Sequence, residues 1–245
     1  MNLEEAITHR AEKKGLTVTP KKMRYTVRHW MSFVQNRHRV LDIGCGHGHF
    51  LVLLCTEFGF KEGVGVDPLV EGDGTSRDDW AQLKNLIRSE QLESTIRLHE
   101  ETVGAFLRHA NDEKFSLITA CDVLHHIYCT SDPLHVNAEM FHRCTELFVR
   151  LKEHLTNDGI LLIDDLTRSG LRPWIERTLG RESVDWSTKQ KAKEWALALN
   201  EAGFTAVRKI PYVPYSLRFL HPLFLHSAGK WLACPRYFLI ASKTT

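Results

Sequence analysis

Glycines recur at every second position in one short segment, where the backbone can come close to a bound molecule. Residues 40–48 read VLDIGCGHG, with an acid at Asp42 and glycines at 44, 46 and 48. The β-branched run before them predicts a strand, and the apolar pattern from His49 to Phe58 predicts a helix. Glycine has no side chain to hold a ligand away, and the first N–H groups of a helix are unpaired. The segment therefore predicts a site for a carboxylate or a phosphate.

The spacing of these glycines separates two kinds of ligand. A dinucleotide fingerprint, G-x-G-x-x-G or A, requires a small residue at position 49, where this chain has His49. The spacing G-x-G-x-G, with an acid two residues before the first glycine, resembles motif I of the class I S-adenosylmethionine-dependent methyltransferases. The case for NAD or FAD is correspondingly weaker.

Later segments extend the resemblance from residue 40 to residue 165. Residues 64–67, VGVD, end in an acid, and residues 158–165, DGILLIDD, resemble the fifth strand of the family's fold. Residues 115–128 contain D-V-L-H-H, which looks like the segment after the fourth strand of many small-molecule methyltransferases. The resemblance implies an α/β fold with a Rossmann-like, doubly wound sheet. Its seven strands are mostly parallel with an antiparallel last strand, and helices cover both faces.

The resemblance also implies S-adenosylmethionine as the cofactor. The glycine loop would pass beside the methionine part, and Asp67 would hold the ribose hydroxyls, although an NAD enzyme also places an acid near there. Glu101 or Thr102 would flank the adenine, and Cys121 with Asp122 would border the sulfonium. The implied cofactor-binding residues are Asp42, Gly44, Cys45, Gly46, Gly48, Asp67, Pro68, Glu101, Thr102, Cys121 and Asp122.

Two adjacent histidines are the candidates for a catalytic general base. Methyl transfer needs donor and acceptor held in line, and it needs a base only where the acceptor must lose a proton. His125 and His126 lie one turn past the predicted fourth strand, where an imidazole that titrates near neutrality can take a hydroxyl proton. Only one of two neighbours can face a cleft, and solvated helix histidines are the alternative. We predict methylation of a small molecule at oxygen, with nitrogen, carbon and sulfur left open.

A metal-assisted reaction is the first alternative. Asp122, Asp164 and Asp165 roughly resemble the Asp, Asp and Asn ligands of catechol-type O-methyltransferases that bind magnesium. That pattern has Asn where this chain has Asp165, and the 42 positions from Asp122 to Asp164 are more than it expects. We therefore predict no metal ligand.

Nucleic-acid methylation is the second alternative. Enzymes that methylate the adenine amino group typically show N/D-P-P-Y/F after the fourth strand, where this chain has C-D-V-L. Methylation at cytosine carbon requires a cysteine, commonly in Pro-Cys, which neither Cys121 nor the order Cys234-Pro235 matches. An RNA or protein methyltransferase, and a protein that binds S-adenosylmethionine without catalysis, stay open.

Composition is that of an ordinary globular domain. The 245 residues are 43% hydrophobic and 25% charged, and the net charge of +2 favours no nucleic-acid partner. The six cysteines form no C-x-x-C pair, so neither a zinc site nor a disulfide framework is predicted. The chain has no signal-like apolar segment at its start and no run of 18 apolar residues. We therefore expect a soluble, cytoplasmic protein without a transmembrane segment.

The pattern predicts an N-terminal helical cap, residues 1–39, followed by a methyltransferase domain, residues 40–245. Two stretches, 166–186 and 214–235, are extra relative to the resembled fold and are predicted to form a substrate lid. The second is rich in Leu, Phe, His and Trp, which suggests an aromatic or apolar acceptor. A homodimer contact or a membrane-surface patch is the alternative. The predicted C-terminal elements are a helix at Lys189–Asn200 and strands at Phe204–Val213 and Arg236–Ser242.

Overall fold

The computed structural model describes residues 2–14, 19–70, 75–110, 112–180, 184–213, 215, 216, 218, 219 and 236–243. The helices are α1 (Leu3–Lys14), α2 (Pro20–Met31), α3 (His49–Glu57), α4 (Arg77–Ser89), α5 (Val103–His109), α6 (Leu124–Ile127), α7 (Ala138–Glu153), α8 (Leu171–Thr178) and α9 (Ala192–Glu201). The strands are β1 (Arg39–Ile43), β2 (Glu62–Val66), β3 (Ile96–His99), β4 (Phe115–Cys121), β5 (Leu155–Leu166), β6 (Ala206–Pro211) and β7 (Arg236–Ser242). Strands and helices alternate from β1 to β5, as predicted.

Seven strands form one sheet in the order β3-β2-β1-β4-β5-β7-β6. Strand β2 runs parallel to β1 and to β3. Strand β7 lies between β5 and β6 and is antiparallel to both. The predicted fold, a mostly parallel Rossmann-like sheet with an antiparallel last strand, is confirmed. The chain divides into two compact units, Met1–Thr119 with His154–Gly159, and Ala120–Glu153 with Ile160–Thr245.

In the first unit, the two N-terminal helices pack against α3. Helix α2 begins at Pro20, and the Thr19 hydroxyl before it accepts the Lys22 backbone N–H (3.3 Å). Proline suits the first turn of a helix, where its missing N–H would be unpaired anyway. Trp30 of α2 is fully buried, with its ring 5.0 Å from that of Phe50 on α3. That residues 1–39 form a cap stays a prediction.

In the second unit, large aromatic side chains fill the core. Trp186, Trp195 and Tyr237 are each at most 1% exposed. The ring of Tyr128 lies 6.3 Å from that of Trp195. Helix α9 packs against α7, β6 and β7, so the apolar face that carries Trp195 covers the antiparallel end of the sheet. Aromatic side chains bury the most surface per residue, so these contacts hold β7 in place.

The two predicted lid segments are described to different extents. Residues 166–186 contain a helix that the pattern did not indicate, α8, on which Trp174 and Ile175 are 59% and 38% exposed. Of residues 214–235, only Tyr215, Ser216, Arg218 and Phe219 are described, and the rest lie outside the described residues. The lid role of both segments stays a prediction. None of the described helices has the length and apolar composition needed to span a bilayer.

Helix α4 provides a test of how local sequence sets the fold. Its first turn holds a reciprocal cap: the Asp79 backbone N–H donates to Ser76 Oγ, and the Ser76 backbone N–H donates to Asp79 Oδ2 (both 3.1 Å). Ser76→Ala should lower the free energy of unfolding by about 1 kcal/mol, since the Asp79 N–H loses its acceptor. Urea denaturation measures this. Ser89→Ala, in the last turn of the same helix, should change stability by less than about 0.5 kcal/mol, and equal losses would contradict the cap.

Candidate functional site

The glycine segment forms a tight turn between β1 and α3. Gly44, Gly46 and Gly48 all have left-handed backbone conformations, with φ of 64°, 55° and 63°. The backbone N–H groups of Gly44 and Cys45 both donate to the Val66 carbonyl at the end of β2 (2.8 and 3.2 Å). Residues with a Cβ atom rarely adopt this conformation, so the glycines allow a turn that is tied to the neighbouring strand.

Helix α4 fills one side of this turn. A Cβ atom on Gly48 would lie 2.3 Å from Leu83 Cδ1, so position 48 requires glycine for packing as well as for conformation. Among the described residues, a Cβ atom on Gly46 would come within 4 Å of two atoms, Thr75 Oγ1 at 3.4 Å and the Gly44 carbonyl oxygen at 3.9 Å. The backbone at Gly46 is therefore open to close approach by a ligand.

Asp67 follows β2 and faces the same turn. Its Oδ2 accepts the Gly46 backbone N–H (2.9 Å) and the Thr75 hydroxyl (3.2 Å), and its Oδ1 accepts the Leu69 backbone N–H (3.0 Å). A carboxylate has about four acceptor positions, so Asp67 keeps capacity for a ligand hydroxyl. The turn and the acid that the sequence predicted as one binding site do lie together.

Asp42 is placed differently from the other predicted ligands of the cofactor. It is only 3% exposed, and Asp42 Oδ1 accepts the Thr119 hydroxyl (2.6 Å). Burial raises the pKa of Asp42 to about 7, with Thr119 opposing and Asp67 adding to the shift. Burial likewise raises the pKa of the Cys45 thiol. Both side chains belong to the interior beneath the turn, so their effect on a ligand passes through the backbone that they support.

Glu101 and Thr102 follow β3, beside the end of β2. The Glu101 carboxylate contacts His109 Nε2 (2.8 and 2.9 Å), and its Oε1 lies 3.3 Å from His99 Nδ1. The Thr102 hydroxyl accepts the Ala105 backbone N–H (3.2 Å) and caps α5. These side chains therefore have structural partners, and their predicted contact with adenine stays a prediction. Pro68, next to Asp67, is exposed.

The second unit contains the two predicted histidines, in different surroundings. His125 is 4% exposed, and its Nδ1 lies 2.9 Å from Asp165 Oδ1, whose residue is 1% exposed. Asp165 Oδ1 also accepts the Leu166 backbone N–H (2.7 Å). His126 is exposed, with its ring 4.3 Å from that of His125. The geometry thus pairs His125 with a buried carboxylate.

Arg236 lies between the carboxylates of Asp122 and Asp164. Its Nη2 donates to Asp122 Oδ2, and its Nη1 donates to Asp164 Oδ1 (2.7 Å). Burial raises the pKa of Asp164, and the Arg236 guanidinium opposes that rise. Asp122 follows β4 with a left-handed φ of 52°, and its N–H donates to the Asp164 carbonyl (2.8 Å). Cys121, before it, is half-buried.

The three acids weighed as magnesium ligands therefore each have a protein partner. Asp122 and Asp164 share Arg236, and Asp165 has His125. Among the described residues, no group of three or more His, Cys, Asp or Glu side chains is arranged to hold a metal ion. Arg236 thus supplies the positive charge beside Asp122 and Asp164.

Sequence reasoning missed two basic residues of this cluster. Arg236 opens an otherwise apolar strand, RYFLIAS, and it reaches Asp164 because β7 pairs with β5. The sequence indicates Arg236 in one way: it is a charged residue at the start of an apolar strand. Lys189, before α9, is 7% exposed and interacts electrostatically with Asp165 and Asp122. No local pattern marks it, since its burial depends on the loop that carries it.

Comparisons with known proteins agree with the fold. The family model described as Methyltransferase domain matches residues 7–209. A solved S-adenosylmethionine-dependent methyltransferase from Clostridium acetobutylicum ATCC 824 aligns at a TM-score of 0.61 and 14% identity, over 97% of this chain and 98% of that one. A SAM-dependent methyltransferase from Archaeoglobus fulgidus aligns at 0.58 and 18%, over 89% and 91%.

A third structure, PigF with SAH, aligns at a TM-score of 0.50 and 15% identity, over 84% of this chain and 50% of that one. At these identities the solved structures show a shared fold. No curated protein matches the chain significantly.

The buried Asp42 carboxyl generates a pH-dependent prediction. Because its pKa is raised to about 7, the folded chain keeps a proton that the unfolded chain releases near pH 4. Its contribution to stability is full below about pH 4 and is lost as the pH rises towards 7. Asp42→Asn keeps an acceptor for Thr119 but cannot ionise, so the variant should lack this decline. Between about pH 4 and pH 7, the unmodified chain should lose at most about 4 kcal/mol of stability relative to Asp42→Asn, at about 1.36 kcal/mol per pKa unit.

Urea denaturation between about pH 4 and pH 8 measures the effect. Both proteins retain Asp164, so the comparison isolates position 42. Asp112→Asn, at an exposed carboxylate, is the matched control and should follow the unmodified chain. Parallel stability curves for Asp42→Asn and the unmodified chain would show that Asp42 is ionised in the folded state.

Proposed function

The chain belongs to the methyltransferase domain family and uses S-adenosylmethionine as its cofactor, and on this premise we propose that it methylates a hydroxyl oxygen of a small molecule. The observation that carries the proposal is the buried pair His125 and Asp165, joined at 2.9 Å. Oxygen acceptors are the ones that most need a base, because a neutral hydroxyl is a weak nucleophile until it loses its proton.

The residues of the first unit fit the cofactor. The backbone at Gly46 is open to close approach, and Asp67 has acceptor capacity for ribose hydroxyls. We assign the turn Gly44–Gly48 to the methionine part and, in proposals carried over from the family pattern, Glu101 or Thr102 to the adenine. Cys121 and Asp122 are assigned to the sulfonium in the same way. When bound, the cofactor supplies a methyl group on a positively charged sulfur, which makes the carbon electrophilic.

Asp165 determines which nitrogen of His125 is the base. A carboxylate only accepts hydrogen bonds when ionised, so Nδ1 of the neutral imidazole must carry the proton that faces Asp165 Oδ1. The Nε2 atom then has the free lone pair and takes the hydroxyl proton. The imidazolium that forms is stabilised by the carboxylate already beside it. His126 has no such assignment, since its side chain is exposed.

Binding of the cofactor is the first experiment. In calorimetric titrations, S-adenosylmethionine and S-adenosylhomocysteine should bind with or without magnesium, and NAD should not. Gly46→Val should weaken both affinities at least about tenfold, because the side chain fills the open space at a left-handed position. Gly104→Val is the matched control, since a Cβ atom there meets no atom of the described residues within 4 Å. Tight binding of NAD would overturn the proposal, and unchanged affinity in Gly46→Val would remove the turn from the site.

Turnover of defined probes tests the reaction. With 4-nitrophenol, benzyl alcohol, benzoate and aniline as acceptors, S-adenosylhomocysteine should form fastest with a hydroxyl-bearing probe. His125→Ala should slow that turnover about 10²-fold or more, while leaving cofactor affinity within about twofold. His126→Ala should cause a smaller loss, and His142→Ala, at an exposed surface histidine, should cause none. Faster methylation of aniline, or full turnover by His125→Ala, would contradict oxygen methylation with His125 as base.

A further inference from the structure

Lys189 is a buried cation for which the described structure provides no close partner. Its side chain belongs to a residue that is 7% exposed, and no described residue forms a hydrogen bond or an ion pair within 4 Å of its ammonium. An ammonium has three donors and is strongly hydrated, and the Nζ atom of Lys189, which is not among the fully buried side-chain atoms without a partner, keeps some contact with solvent. Burial lowers the pKa of Lys189, as this environment predicts. Such a group is poised to gain an acceptor from a ligand.

The backbone around Lys189 is fixed from both sides. Arg168 Nε donates to the Lys189 carbonyl, and another nitrogen of the same guanidinium donates to the Asp132 carbonyl (3.2 Å). The Gln190 side-chain amide donates to the carbonyls of Thr130 and Asp132 (3.1 and 3.0 Å). These contacts tie the segment before α9 to the loop after α6, the helix that carries His125. The position of Lys189 is therefore set by the same unit that holds the proposed base.

The charged groups around Lys189 are those of the same cluster. Asp165, Asp122 and Asp185 attract its ammonium, in that order, and Arg236 repels it. Asp165 is already paired with His125, and Asp122 with Arg236. The second oxygen of Asp165, Oδ2, is buried without a hydrogen bond in the described structure. The Lys189 ammonium thus interacts electrostatically with Asp165 and Asp122, but neither carboxylate forms an ion pair with it.

Building on the proposed function, we propose that Lys189 binds the acceptor oxygen and stabilises it as an oxyanion, so that the natural acceptor is a phenol or an enol. The acceptor O–H gives its proton to His125 Nε2, and the oxygen keeps the bonding electron pair beside the ammonium. An oxygen electron pair then forms the O–C bond as the carbon–sulfur bond breaks, and that bond's electrons stay on sulfur. The imidazolium afterwards releases its proton to water.

The acidity of the acceptor follows from these two groups. A phenol of the tyrosine type has a pKa of about 10, which is low enough for an imidazole and a nearby ammonium to ionise it. An aliphatic hydroxyl has a pKa close to that of water, about 15.7, and is too weakly acidic for these two groups. A carboxylic acid, with a pKa of about 4, is already ionised and would leave the pair of His125 and Asp165 without a task. An amine that is protonated would be repelled by Lys189.

Ionisation of a bound phenol tests the role of Lys189 directly. The anion of 4-nitrophenol absorbs visible light and its neutral form does not, so absorbance reports the ionised fraction in the complex with S-adenosylhomocysteine. About one pH unit below its own midpoint, free 4-nitrophenol is about one-tenth ionised. On the unmodified protein the bound fraction should exceed about one half. Lys189→Met and Lys189→Gln should return it to that of the free phenol, and Lys189→Arg should retain most of the increase.

Lys191→Met is the matched control, because Lys191 is exposed in the same segment and should leave the ionised fraction unchanged. Turnover of phenol should fall about tenfold or more in Lys189→Met, and turnover of 4-nitrophenol well above its midpoint should fall less. Equal ionisation in the unmodified protein and both neutral variants would overturn the proposal, as would no binding of 4-nitrophenol. In either case, the binding of S-adenosylhomocysteine and the effect of His125→Ala report separately on the proposed function.

Discussion

Buried carboxylates must recover the hydrogen bonds that they lose to water, and this requirement organises the surroundings of Asp67 and of Asp165. In the first unit, Asp67 takes the Gly46 backbone N–H, so the acid fixes the turn that it faces. In the second unit, Asp165 takes Nδ1 of His125, and so fixes an imidazole that would otherwise be free to rotate. The side chains with chemical roles are therefore oriented by the needs of the acids beside them.

The cation beside Asp122 and Asp164 is a side chain of the protein, the Arg236 guanidinium. A guanidinium is planar and always charged, and its two nitrogens can bridge two carboxylates without dissociating. A bound divalent ion could exchange and could polarise an acceptor oxygen directly, whereas Arg236 can only hold the acids in place. In the proposed function, proton removal is assigned to a side chain, the buried His125.

The elements that could be predicted are those whose pattern is local. Gly44 to Gly48 and the apolar runs on either side predict a strand, a turn and a helix because the period and the glycines lie within twenty residues. Strand β7 begins and ends where the alternation indicates, at Arg236 and Ser242. Helix α8 was missed because it is only eight residues long and its apolar side chains Trp174 and Ile175 are exposed, so they do not mark a buried face. The partners of the site residues were missed for another reason: 40 residues separate His125 from Asp165 and 114 separate Asp122 from Arg236, and only tertiary structure joins them.

The insertion of β7 between β5 and β6 also orders events in time. During synthesis, at about 5–20 residues per second, residues 122 and 164 leave the ribosome before residue 236. Until Arg236 has been synthesised and β7 has paired with its neighbours, Asp122 and Asp164 lack their cation. Strands β5 and β6 likewise lack β7, the strand that lies between them. A nascent chain thus contains its glycine turn before Arg236 exists, but Asp122 and Asp164 gain their cation only after the C-terminal strand has docked.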